Sequence, residues 1–187
     1  MSSTMMHFLS LNVLVATLLL SPSSLLVMES WETFVDPEGR FEVLMPDSVM
    51  RQVTPAETAI GQLEYVSYVS FAQGMSGNAH YIVSYCDYPA GTLHEDSTDL
   101  VRAFFEETLQ GSLEAVNGKL MYQDEITVAG HPGMIWKVGS EATNLHVKSQ
   151  ALIVDRTYYT LQITTSAAHS LQHDGERFFQ SFKLLDP

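Results

Sequence analysis

Leu63-Glu-Tyr-Val-Ser-Tyr-Val-Ser-Phe71 and Tyr81-Ile-Val-Ser-Tyr-Cys-Asp-Tyr88 flank Gly74-Met-Ser-Gly-Asn78. Both runs are rich in β-branched and aromatic residues, and the glycines between them suit a tight reversal, so together they predict a hairpin. Successive strand residues point to opposite faces, and both runs are apolar at odd and at even positions. The hairpin should therefore lie in a sheet that is covered on both sides. Upstream, Phe41, Val43 and Met45 share one face of a strand that begins after the Asp36-Pro-Glu-Gly39 turn and stops at Pro46. We read these three runs as an antiparallel meander.

Downstream, the period changes. Asp96 or Ser97 is placed to cap a helix, and Asp99 in its first turn complements the helix dipole. Leu100, Val101, Phe104, Phe105, Thr108 and Ala115 fall on one side of that helix, and Asp99, Arg102, Glu106 and Gln110 on the other. Asn117-Gly118 supplies its C-terminal stop. Four strands are expected after it, at about 119–129, 133–138, 145–154 and 157–165. The first pair turns at Gly130-His-Pro-Gly133 and the second at Asp155-Arg156. A short C-terminal helix then carries Leu171, Phe178, Phe179 and Phe182 on one stripe. Strands in two blocks, each closed by a helix, predict an α+β domain: an antiparallel sheet of about six to seven strands with helices packed on it.

The 187 residues include 9 Lys plus Arg against 22 Asp plus Glu, a formal net charge of −13. Sequence-independent nucleic-acid binding needs a basic stripe to displace condensed counterions, so no nucleic-acid partner is expected. Cys86 is the single cysteine, which removes an intramolecular disulfide and a cysteine-based metal site. It lies in an apolar run with no Lys, Arg or His within three positions, and we read it as a buried structural residue. Phe8 to Leu20 is an uncharged apolar stretch of signal-peptide length, broken by Ser21-Pro-Ser-Ser24. Residues 1–28 are thus expected to be a signal peptide, with a mature terminus between Ser24 and Ser30, or an N-terminal anchor. Residues 29–187 are expected to form a single domain that is exported, periplasmic or extracellular, and that touches a membrane solely through an uncleaved N-terminal segment.

Gly39-Arg-Phe-Glu-Val-Leu-Met-Pro46, Val83-Ser-Tyr-Cys-Asp-Tyr-Pro89, Val116-Asn-Gly-Lys-Leu120, Ile126-Thr-Val-Ala-Gly-His-Pro-Gly133 and Phe178-Phe-Gln-Ser-Phe-Lys-Leu184 form a set of blocks spread over nearly the whole mature chain. The set resembles an uncharacterised family of exported bacterial proteins, which is in turn similar to PsbP-like domains. The resemblance implies an α/β/α sandwich and export; none of its blocks is catalytic. In that family an Arg commonly follows the Gly-x-Pro-Gly turn, whereas here Met134 stands there.

Few residues suggest chemistry. His169, His173 and Glu176 at i, i+4 and i+7 would share one face of a helix and could seat a divalent metal. That face lies nearly opposite the Leu171, Phe178 and Phe182 stripe, so it is read as a solvated polar face and no metal is assigned. Glu95-Asp96-x-x-Asp99 could be paired catalytic carboxylates, but helix capping accounts for it. His131, in a turn of fixed backbone, is the candidate for presenting a side chain to a partner. No Gly-x-Ser-x-Gly elbow and no phosphate-cradling glycine loop occurs, and no cofactor is expected. The functional expectation is a non-catalytic domain that binds a protein or small ligand in the cell envelope. The alternative is a metal-binding or hydrolytic envelope enzyme built on surface His and carboxylate residues. A partner with a basic surface would suit the acidic chain.

Overall fold

The expected hairpin is present as β4 (Gly61–Gly74) and β5 (Gly77–Asp87), paired antiparallel from Gly74↔Gly77 to Val66↔Tyr85. The structure, a computed structural model, describes residues 30–46, 48–74, 77–169 and 174–185. The expected export segment lies outside the described residues.

β3 (Met50–Thr58), β4 and β5 are joined by β6 (Lys119–Val128), β7 (His131–Ser140), β8 (Leu145–Val154) and β9 (Thr157–Ser166) in a seven-stranded antiparallel sheet of order β3-β4-β5-β9-β8-β7-β6. The last four agree closely with expectation. The meander does not: its first strand is β3, and the Phe41–Pro46 strand, β2, belongs to a second sheet with β1 (Trp31–Asp36) and β10 (Lys183–Leu184). The physical reason is that alternation reports which face of a strand is buried, and says nothing about which strand lies beside it. β3 is an edge strand with most side chains exposed and Pro55 within it, so it carries no burial pattern to read.

Each face of the large sheet has its own cover. On one, α1 (Thr98–Val116) buries Val101, Phe104, Phe105 and Leu109 against Trp136, Val138, Tyr158 and Cys86. Of the residues expected on that face, Leu100, Thr108 and Ala115 are half-buried at its margins, and Leu109 and Val116 are buried instead. Ser97 is the N-cap by position but makes no side-chain cap hydrogen bond. At the other end Asn117 turns left-handed at φ 47°, and the Gly118 N–H closes onto the Leu113 carbonyl at 2.9 Å.

On the opposite face lie the small sheet and α2 (Asp174–Ser181), which pack Phe41, Val43, Met45, Phe178, Phe179 and Phe182 onto Tyr81, Val83, Tyr159 and Leu161. Phe178, Phe179 and Phe182 thus take the expected core stripe; Leu171 lies outside the described residues. Arg177 sits 5.2 Å over the Trp31 ring and Lys148 5.0 Å over the Phe179 ring, so α2 is held to β1 and to β8 by its flanks as well. Cover on both faces accounts for the two-sided apolar runs of β4 and β5. The architecture is α+β, but one of the two covering layers is a three-stranded sheet with a short helix, where two helices were expected.

Cys86 is fully buried, and burial, with the Asp87 charge adding to it, pushes its thiol up to about 12. It is a packing residue, as expected.

Candidate functional site

His131 is not in a turn. The β6–β7 reversal uses two residues, Ala129 at φ 51° and Gly130 at φ 91°, and His131 opens β7 opposite Val128. A two-residue hairpin of this kind needs positive φ at both central positions, which the sequence supplies with one Gly and one small residue. His131 is thereby fixed by a strand, and its ring reaches the loop before α1.

There His131 Nδ1 lies 2.5 Å from Glu95 Oε2, across 36 residues of sequence, with side-chain exposures of 26% and 20%. An ionised carboxylate can accept but not donate, so with Glu95 charged the proton sits on Nδ1 and Nε2 remains for another group. The loop that carries Glu95 is itself tied down. Its backbone N–H donates to the Asp155 carbonyl at 2.8 Å, and the Asp96 N–H donates to His94 Nδ1 at 3.2 Å. The Tyr88 N–H donates to the Arg156 carbonyl at 2.9 Å, and Arg156 Nη1 returns a bond to the Tyr88 carbonyl at 3.0 Å. Leu93, 2% exposed, anchors the loop in the core beneath α1.

The Glu95-Asp96-x-x-Asp99 group therefore divides. Asp99 stays in the first turn of α1 and lies 3.6 Å from Arg102, which suits a helix-start carboxylate. Glu95 serves the His131 pair instead. A double-mutant cycle of His131→Asn and Glu95→Gln should give a coupling of about 1–3 kcal/mol in urea midpoints, the range for a charged hydrogen bond. A coupling below about 0.3 kcal/mol would show the two side chains to be independent.

Of the expected His169, His173 and Glu176 face, the described members His169 and Glu176 stand on different elements. His169 ends a short 3-10 turn, Ala167–His169, where its Nδ1 lies 2.8 Å from Ser166 Oγ. Glu176 is on α2 and pairs with Lys148 of β8; His173 lies outside the described residues. Among the described residues no group of three or more His, Cys, Asp or Glu side chains could hold a metal ion. The ion pair explains the polar residue at 176 as a tie between α2 and the sheet.

One polar cluster went unseen in the sequence. Arg40, at φ 56°, donates from Nη2 to Asp87 Oδ1 at 3.1 Å and to Thr157 Oγ1 at 2.6 Å, and the Thr157 hydroxyl donates to Asp87 at 2.5 Å. Tyr159 OH adds a bond to the Gly39 carbonyl at 2.9 Å. These contacts bolt the small sheet's turn to the large sheet, across up to 120 residues of sequence. Asp87 and Thr157 are direct strand partners, a register that the sequence does not state.

Met134, which replaces the resembled family's Arg, is 3% exposed in the α1 core. A cation there would be buried, so the position serves packing in this chain.

Neither a family model nor a curated protein matches the chain. Among solved structures, it is similar to cyanobacterial PsbP (CyanoP) from Synechocystis, with 14% identity, a TM-score of 0.51, and coverage of 88% of this chain and 98% of that one. It also matches a Pseudomonas aeruginosa protein of unknown function, PA94, at 14% identity and a TM-score of 0.46, over 78% of this chain and 90% of that one. Identity this low speaks to fold alone, and the Synechocystis likeness spans nearly the full length of both chains: the protein has a PsbP-like fold.

Proposed function

We propose that this chain is an exported, non-catalytic binding domain of the cell envelope, which meets a protein or small ligand at the end of the sheet where His131 and Glu95 face each other. One observation carries the reading: an imidazole and a carboxylate, both partly exposed, are paired at 2.5 Å on backbone that is fixed on either side by strand and loop hydrogen bonds. Such a surface is preorganised, so a partner meets donors and acceptors already in place. The apolar Phe8 to Leu20 run supports export. The net charge of −13 supports a partner that presents positive charge.

The test is association kinetics with a protein co-purified from the envelope fraction. The on-rate should fall as salt shortens the screening length from ~10 Å at 0.1 M toward ~3 Å at 1 M. His131→Asn should speed dissociation. An affinity indifferent to His131 would defeat this placement of the site. Tight stoichiometric metal uptake that is lost in His173→Ala would replace the reading with the metal-binding alternative.

A further inference from the structure

β6 closes one side of the large sheet, and no strand among the described residues pairs with its outer edge. Such an edge offers a row of backbone N–H and C=O groups to another chain, and proteins usually blunt it with proline, inward charge or cover. The far edge, β3, carries Pro55 and Arg51. β6 has no proline, and its residues from Lys119 to Glu125 are all exposed.

The same stretch carries three large apolar or aromatic residues in a row. Leu120, Met121 and Tyr122 are 43%, 52% and 37% exposed. A bulge between Leu120 and Tyr122 breaks the alternation there. Tyr122 stands opposite Lys137, and Met121 Sδ lies 3.1 Å from the point where a Cβ on Gly139 would sit, beside His146 Cδ2 and Nε2 at 3.2 Å. Met121 and Tyr122 thus lie on one face of the sheet and form a shelf that runs inward over Gly139 to His146. His146 Nδ1, buried, makes no hydrogen bond to any described group. Beyond the bulge, Tyr122 to Val128 pair in regular register with β7, which leaves a straight template.

We infer that the outer edge of β6 is a docking strand for an extended segment of another protein that alternates apolar with lysine or arginine side chains. The apolar residues fit the Met121 and Tyr122 shelf. The cations, on the opposite face of the added strand, fit Glu125 on the α1 side of the sheet, 3.7 Å from Arg102, within a chain of net charge −13 where Lys119 is already engaged by Glu141 at 3.3 Å. A second copy of this chain would bring the same carboxylates and the same net charge to the edge, so it is the less suited occupant. The shelf is at the opposite end of the β6–β7 hairpin from His131, so this surface stands apart from the one proposed above.

The probe is a short synthetic peptide alternating lysine and valine, with a counterpart carrying glutamate for lysine, each added to the full chain. Amide hydrogen exchange should slow across 122–128 with the lysine peptide and not with the glutamate one. Met121→Lys combined with Tyr122→Lys should weaken the lysine peptide by about tenfold or more at unchanged thermal midpoint, while Val53→Lys on β3 leaves it alone. Equal binding of both peptides, protection confined to β3, or no protection at all would overturn the inference. So would concentration-dependent dimerisation that buries the β6 amides, since the occupant would then be a second copy. Protection at 94–97 and 129–132 instead would move the contact to the His131 end, leaving the proposed function standing and this surface refuted.

Discussion

Phe178→Ala is expected to lower stability by about 3–5 kcal/mol, the range for emptying a buried aromatic site, and the thermal midpoint by about 6–20 °C for a domain of this size. Phe178 is fully buried, edge-on to Tyr81 with ring centroids 5.3 Å apart. α2 has 8 residues, well short of the roughly 12–15 that an isolated helix needs to be even marginal in water. Packing therefore holds it. Loss of Phe178 also slackens the seat of Ser181, which accepts the Leu44 N–H at 2.8 Å and donates to the Phe178 carbonyl at 2.8 Å. Phe104→Ala on the other face should fall in the same range, because Phe104 stands edge-on to Tyr158 at 5.0 Å and to Tyr88 at 5.6 Å. Urea midpoints at constant slope measure both. A loss under about 1 kcal/mol at either site would mean that its helix is not docked as placed.

What the sequence discloses, and what it hides, follows from the length scale of each interaction. α1 is legible because its burial repeats every three to four residues, from Val101 through Phe104 and Phe105 to Leu109. β4 and β5 are legible because both their faces are apolar. β1 and β10 are not: β1 buries chiefly Asp36, and β10 spans two residues that pair with Glu42 and Phe41. The site behaves in the same way. His131 and Glu95 are each visible as a polar residue in a motif, yet nothing local links them, and Glu95 beside a helix start reads as a cap. The Arg40 cluster had one local signal, a non-glycine residue placed left-handed just after Asp36-Pro-Glu-Gly39, and that shows only in backbone angles. His169 and Glu176 are grouped by helical spacing, which holds only within one helix, and His169 stands on a 3-10 turn while Glu176 stands on α2.

Gly133→Ala should show whether the strand that carries His131 sets the geometry of its contact with Glu95. A Cβ at Gly133 would sit 2.5 Å from the Ala151 carbonyl oxygen and 3.3 Å from Ile126 Cγ1. The first of these is backbone in the neighbouring strand, so no side-chain rotation relieves it, and β7 must move away from β8. Overpacking of this kind costs about 1–3 kcal/mol, and we expect the urea midpoint to fall accordingly. The displacement should also reach His131, two residues upstream in the same strand, and disturb its contact with Glu95. In the Gly133→Ala background the His131 and Glu95 coupling should therefore shrink, whereas at a remote site of equal cost, such as Phe104→Ala under α1, it should persist. A coupling unchanged by Gly133→Ala would mean that β7 gives way locally around residue 133. The pair would then owe its geometry to the Glu95 loop, held by Asp155 and Arg156, and not to the strand that carries the histidine.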